Sequence, residues 1–235
     1  MFLLISGLYD PKSKQGDWIL NDYQDNLYPV APYGYNIEDF DRNWFSRTGF
    51  NPEPNYFPDV LPYLDRDEPD IYIWMFFNKW AAVYIPEIGG MAEHSAPLGN
   101  PNSAIFKTSE ESGAVNWLRL MYVYNKDGLM HFGRALPRAW LADGNDIQAT
   151  DVATHHGHVG VRYRSEAKSG SITAQVDLDG LRDQPKKILV RFRHPTSQRI
   201  KSVTVNGDRW NRFDPVKGDV DITGRSGHLT VRAQY

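Results

Sequence analysis

Hydrophobic and polar positions follow two different periods along this chain, and the change comes near Gly128. Before it, Met1-Phe-Leu-Leu-Ile-Ser-Gly7 opens directly on an apolar run, without a cap or polar lead-in, as the inside of a helix would. From Tyr9 to Pro69 no period is sustained, and Pro, Asn, Asp, Gly and aromatic residues predominate. That stretch is predicted to be mostly loop, with short helical turns around Gln15 to Asp25 and Ile37 to Phe45. Pro69 suits a first helical turn, with Glu68 and Asp70 near the positive end of the dipole, and predicts a helix to about Ile85. Because this helix is apolar nearly all round, it should be enclosed on several sides, as in the inner ring of a helical toroid. Thr108-Ser-Glu-Glu111 has the form of a capping box, with Thr108 as N-cap and Glu111 at N3, and starts a second helix to about Tyr124.

Beyond Gly128 the period is two. Short alternating runs occupy Asp146 to Val152, His158 to Glu166, Ser171 to Asp177, Lys186 to Arg193, Arg199 to Val205, Asp219 to Ile222 and Leu229 to Ala233. Turn pairs such as Asp143-Gly144, Ser169-Gly170, Asp179-Gly180, Asn206-Gly207 and Ser226-Gly227 stand between them. Strands at this spacing predict an antiparallel β-sandwich.

Composition places a domain boundary at the same change of character. Residues 1–134 hold 25 of the 31 aromatics, with 18 acids against 10 bases, whereas residues 135–235 hold 6 aromatics, with 11 acids against 16 bases. The expected organisation is therefore α+β and multidomain: a helical, loop-rich segment over 1–134 and a β-sandwich over 135–235. With 41% hydrophobic and 23% charged residues and a net charge of −3, the chain belongs to the globular class. The absence of cysteine excludes disulfides, thiolate metal sites and a cysteine nucleophile. The apolar start lacks the positive flank and small-residue cleavage site of a signal peptide. Ile71 to Ile85 is interrupted by Asn78 and Lys79 and falls short of the roughly 20 apolar residues of a spanning helix.

Several segments resemble a known architecture. Phe106-Lys-Thr-Ser-Glu-Glu111, Trp117-Leu-Arg-Leu-Met121 and Ala135-Leu-Pro-Arg-Ala-Trp-Leu-Ala-Asp-Gly144 are similar to the C-terminal region of large bacterial and fungal glycoside-hydrolase-like proteins. Trp18 to Asn26, Arg66-Asp-Glu-Pro69, Arg193-His-Pro195, Ile200 to Gly207 and Phe213-Asp-Pro215 extend the resemblance over most of the chain. It implies the terminal helices of an (α/α)6 toroid followed by a β-sandwich, with the earlier toroid helices supplied by a further portion of the protein. It also implies an extracellular or periplasmic setting, a carbohydrate substrate and no metal or redox cofactor.

Glycoside cleavage uses two carboxyl groups roughly 5 to 9.5 Å apart, one to protonate the leaving oxygen and one to act as base or nucleophile. Glu93, after the flexible Gly89-Gly90 pair, is the first choice for the proton-transferring acid, and His94 beside it is placed to orient a hydroxyl or tune that acid. A solvent-exposed loop acid next to a structural histidine explains the same residues. Asp22 and Asp25 are the alternate acids, interleaved with Trp18 and Tyr23. Aromatic faces that stack on pyranose rings, together with planar carboxylates and amides, make a sugar site. An Asn/Asp-rich turn held by its own side chains is the rival reading. Tyr33 and Lys107 complete the expected sugar contacts, Lys107 lying just before a helix N-terminus that suits a uronate.

Other chemistries are weakly represented. His155-His156-Gly-His158 places His156 and His158 on one face of a strand, but no further ligand at recognisable spacing completes a zinc set, so no metal is expected. Arg162, Arg164, Arg191, Arg193, Arg199 and Lys201 alternate along strands among acids, which a solvated sheet face explains without nucleic acid. The expected activity is glycoside hydrolysis of a complex polysaccharide; a non-catalytic glycan-binding or structural fragment is the alternative.

Overall fold

The computed structural model describes residues 2–26, 61–86, 88–91 and 108–235, and has an α+β fold with several sheets. The chain divides into two compact units, Met1–Trp117 and Leu118–Tyr235. The boundary expected at 134/135 therefore falls inside the second unit. The reason is strand pairing: the residues just before it form a hairpin that joins a sheet of the second unit.

In the first unit, α1 (Phe2–Ile5) is followed by α2 (Lys14–Asn26), a helix of 13 residues where short turns were expected. Ser13 caps α2, its hydroxyl accepting the amide of Gly16 at 3.1 Å. Gly16 is required there, because a Cβ would meet the carbonyl oxygens of Pro11 and Asp10. Then come α3 (Leu61–Asp65) and α4 (Pro69–Val83). The turn between them has Asp67 in the left-handed region (φ 65°), with Asp67 N–H bonded to the Leu64 carbonyl and Glu68 N–H to that of Tyr63. This is a Schellman-type end, and Pro69 starts the next helix as its position predicted.

Tyr72, Phe76, Trp80 and Tyr84 recur every four residues and form an aromatic row. Phe76 lies 5.7 Å from Trp80, and Trp80 5.3 Å from Tyr84, between ring centroids. Trp117 packs on this row, 6.0 Å from Phe76, and its carbonyl accepts the buried Tyr72 hydroxyl at 2.9 Å. The helix is not enclosed all round, since Trp74 is 40% and Phe77 37% exposed. It gives way to a two-stranded ladder, β1 (Tyr84–Ile85) with β2 (Gly90–Met91). The pair Gly89-Gly90 is thereby ordered: Gly89 closes the turn in the left-handed region and Gly90 pairs with Ile85. The last helix, α5, spans Thr108–Tyr122; the Glu111 carboxylate accepts the Met91 amide at 3.4 Å.

The second unit contains two sheets. A four-stranded sheet has β3 (Val123–Lys126), β4 (Leu129–Phe132), β8 (Lys187–Arg191) and β11 (Asp219–Asp221) in the order β11-β8-β4-β3, with β4 parallel to β8. That parallel pairing departs from the all-antiparallel expectation. A six-stranded antiparallel sheet has β5 (Asp146–Thr154), β6 (Gly157–Glu166), β7 (Ser171–Asp177), β9 (Ser202–Val205), β10 (Asp208–Trp210) and β12 (His228–Gln234) in the order β10-β9-β12-β7-β6-β5.

Alternation sorts the faces of these sheets. Val159, Val161 and Tyr163 of β6, Ile172, Ala174 and Val176 of β7, and Leu229, Val231 and Ala233 of β12 are buried, as are Met130, Phe132, Ile188, Val190 and Val220 of the other sheet. Tyr163 meets Phe192, just past β8, edge to face at 5.9 Å. Gly133 (φ 69°) lets these layers approach, since a Cβ there would strike the Tyr163 hydroxyl and come within 2.8 Å of the Arg191 carbonyl.

Two-residue turns set the hairpins. Asn206-Gly207 (φ 52° and 91°) joins β9 to β10, and Asp127-Gly128 (φ 54° and 81°) joins β3 to β4. The predicted helix end at Tyr124 is corrected accordingly, because Val123 and Tyr124 already belong to β3. Among the described residues, no helix is long and apolar enough to cross a membrane.

Candidate functional site

Half of the residues chosen from sequence for chemistry lie outside the described residues: Glu93, His94, Tyr33 and Lys107 do so entirely, as does the expected turn Ile37 to Phe45. Asp22, Tyr23 and Asp25 fall on α2, but their side chains are outside the description. Trp18, on the same helix, is 59% exposed, with the Lys14 ammonium 5.2 Å from its ring centroid. The segment is helical rather than an Asx-type turn, so its backbone groups are engaged by the helix. Near its start, Arg66 donates to the Pro11 carbonyl at 2.7 Å, to Asp17 at 2.6 Å and to Glu68 at 2.8 Å. Arg66-Asp-Glu-Pro69 is thus the turn and helix-start chemistry that its sequence implies.

In the second unit the segments that carry the resemblance interlock. Arg138, in the 3-10 turn Arg138–Leu141, donates to the His194 carbonyl at 2.9 Å, and Arg193 donates to the Leu136 carbonyl at 3.1 Å. Asn145 reaches back to the carbonyls of Ala139 and Trp140, and Ser165 Oγ donates to that of Leu141 at 2.7 Å. The Asp214 carboxylate of Phe213-Asp-Pro215 accepts the amides of Val216 and Lys217, shaping a turn. These motif residues hold backbone segments together.

A buried charged network crosses the four-stranded sheet. Arg191 grips Asp219 bidentately at 2.6 and 2.7 Å, and the wholly buried His131 lies between Asp219 (Nε2, 2.9 Å) and Arg134 (Nδ1, 2.9 Å). An arginine can only donate, so Nδ1 carries no proton and Nε2–H donates to Asp219. Burial pushes His131 down to about 4, the Arg191 and Arg134 cations adding to the fall against the pull of Asp219. Burial alone would raise Asp219, but its bonds from His131 and Arg191 hold it well below the usual carboxylate range. His131 is wholly buried and each member of the network has a partner within it, so its chemistry is structural. Arg191 and Arg193 are only 4% and 3% exposed, which corrects the expectation of a solvated face for them: each is buried because each has a specific acceptor. Arg162 and Arg164 do lie on an outer face, both paired with Asp146.

The histidines also sort differently from their spacing. His155-His156 form the β5–β6 turn, so His156 is not on a strand face with His158. His156 pairs with Asp183 at 2.7 Å and His158 with Asp151 at 2.6 Å. Among the described residues, the histidine and acidic side chains close enough to share one ion are Asp177, Asp179 and His228, all exposed. His228 stands between the acids, its Nε2 2.8 Å from Asp179 and its Nδ1 3.4 Å from Asp177. Each ring nitrogen thus faces a different carboxylate.

Beside that group, the outer face of the six-stranded sheet holds an open hollow of about 350 Å³ across β5, β6, β7 and β12. Asp151, Arg162, Gln175, Asp177 and His228 line it, and Gly160 forms part of its floor. Sequence reasoning missed this site. Its signal was Gly160 interrupting an otherwise side-chain-bearing strand, Val159 to Glu166.

No protein-family model matches the chain, and no curated protein matches it. Among solved structures it is similar to a protein described as a glycoside hydrolase, at 8% identity and a TM-score of 0.41, over 78% of this chain and 32% of that one. It is also similar to a GH127 β-L-arabinofuranosidase from Geobacillus stearothermophilus T6, at 12% identity and a TM-score of 0.34, over 76% of this chain and 30% of that one. The chain spans about a third of the length of these proteins.

Proposed function

We propose that this chain is the C-terminal portion of a glycoside hydrolase acting on a complex polysaccharide by carboxylate acid–base chemistry, with a β-sandwich as its second unit. Glu93 is the first choice for the proton-transferring acid, Asp22 and Asp25 are the alternates, and Trp18, Tyr23, Tyr33, His94 and Lys107 contact sugar. The observation that carries the reading is α2. Trp18, Asp22 and Asp25 recur on it at i, i+4 and i+7, the spacing of one helix face, and Trp18 is exposed to solvent. An exposed indole in line with two carboxylate positions is what a sugar ring and its hydroxyls require. The interlock of Ala135 to Gly144 with Arg193-His-Pro195 supports the architectural part, since the most specific shared segments hold the unit together.

The test is release of reducing sugar from a panel of plant and bacterial polysaccharides by the full chain, beside Glu93→Gln and the double variant Asp22→Asn/Asp25→Asn. Turnover by the wild type and its loss in either variant is the expected result. A folded wild type that releases nothing sinks the catalytic reading.

A further inference from the structure

We propose that the hollow on the outer face of the six-stranded sheet is a binding site for a neutral, polyhydroxylated ligand, a sugar residue held edge-on between β6 and β12. Strand register builds it. Gly160, Asp177 and His228 occupy one row across β6, β7 and β12, and Arg162, Gln175 and Thr230 occupy the next row on the same face. The missing side chain of Gly160 leaves the depression, and the bulged segment of β5 between Ala149 and Val152 brings Asp151 to its edge.

Gly160 is not demanded by the fold. Its φ is not positive, and a Cβ there would find its nearest neighbours at 3.5 Å, an ordinary contact with the Ala149 carbonyl oxygen and the Asp177 Cβ. Gly133, Gly157 and Gly180, by contrast, face atoms that a Cβ would strike. A glycine inside a central strand weakens it relative to alanine, and one standing where alanine fits leaves room for a close approach by something else.

The lining states what approaches. Carboxylate, amide, guanidinium and imidazole groups alternate around the floor, offering donors and acceptors side by side, which suits adjacent hydroxyls that both give and take hydrogen bonds. Asp151 and Asp177 oppose a phosphate or a nucleic acid, and the Arg162 cation is already shared with Asp146. A volume of about 350 Å³ accommodates a small ring rather than an extended polymer. The choice of a sugar among polyols rests on the glycan reading above.

The experiment is amide NMR of the full chain titrated with the methyl glycosides of glucose, galactose, mannose and xylose, and separately with calcium chloride, for the wild type, Gly160→Ala and Gln175→Ala. Shifts at Gly160, Gln175 and Thr230 with at least one glycoside are expected. Gly160→Ala should keep the wild-type Tm while its affinity falls about 10-fold or more, because a methyl group then fills the floor. No shift with any glycoside at millimolar concentration overturns the proposal, as do equal affinities in all three proteins, or shifts produced by calcium alone. Polysaccharide hydrolysis without these shifts overturns the hollow but not the catalytic reading; shifts without hydrolysis support the hollow and remove the catalytic reading.

Discussion

Buried charges in the second unit are matched across strands, whereas the first unit leaves large apolar side chains in water. Arg191, Asp219, His131 and Arg134 satisfy one another inside the four-stranded sheet, and Arg138 and Arg193 each hold a backbone carbonyl. Of the nine exposed large hydrophobics among the described residues, eight lie in the first unit and only Val216 in the second. The difference shows two ways of specifying structure. Directional bonds between fixed strands admit one arrangement, while an aromatic row such as Tyr72, Phe76, Trp80 and Tyr84 contributes burial with few directional constraints. Mutation should therefore be felt far more sharply in the second unit.

The largest effect is expected from Asp219→Ala. It leaves the Arg191 guanidinium buried without its bidentate partner and removes the acceptor of His131, a loss of about 3–5 kcal/mol. Urea unfolding followed by fluorescence measures it, and a loss below about 1 kcal/mol would show that water replaces the carboxylate, erasing the contrast between the units.

The same network should make stability depend on pH. His131 is neutral in the fold down to about 4, while the unfolded chain takes up the proton at its ordinary value of 6.5. Between those values the unfolded state binds more protons, so stability falls as pH drops from about 6.5 to about 4, by about 3 kcal/mol for this group, and changes no further on its account below that. Asp219 acts in the same direction at still lower pH, its stabilisation being present above its unfolded value and lost as the pH falls through its depressed folded one. His131→Asn should flatten the slope between pH 6.5 and 4. An unchanged slope in that variant would mean that other groups carry the acid sensitivity.

Much of the second unit is legible in sequence for a local reason. Period-two alternation and two-residue turns act within a few residues, so β5, β6, β7 and β12 lie close to their predicted ranges. The hairpin β3–β4 escaped because apolar Met121 to Tyr124 continues the helical pattern, although Asp127-Gly128 is as strong a turn signal as Asn206-Gly207. Burial of Arg191 could not be read locally, since its partner Asp219 lies 28 residues away. In the candidate site, the acids on α2 were visible as residue types but not as a helix face, because Gly16 and the run of polar residues masked the period. The hollow was hidden because it arises from side chains on four strands meeting around the side chain that Gly160 lacks.

Gly133→Ala should fall next. The left-handed φ and the approach of Tyr163 leave a methyl group no place to go, and overpacking at such a site costs about 1–3 kcal/mol. Paired with Gly160→Ala, whose methyl group meets only ordinary contacts at 3.5 Å, it separates a glycine that the fold requires from one that it tolerates. Equal destabilisation by both substitutions would show that the hollow is closed by packing.

The smallest effect is expected in the first unit, from Trp18→Ser and Trp74→Ser. Trp18 is 59% exposed, so most of its surface is already in water, and Trp74 is 40% exposed, so each change should alter stability by no more than about 1 kcal/mol. For Trp18 that figure includes the exposed contact with Lys14, whose attraction is of order 0.5–1 kcal/mol at most in such a setting. Binding of an apolar dye should nonetheless decrease in both variants, because it reports exposed apolar surface rather than core packing. A loss above about 2 kcal/mol from either one would place its ring in a packed environment, since burial of a side chain of that size is what such a loss measures. The apolar exposure that distinguishes the first unit would then belong to fewer residues, and the contrast would rest on the buried charges of the second unit alone.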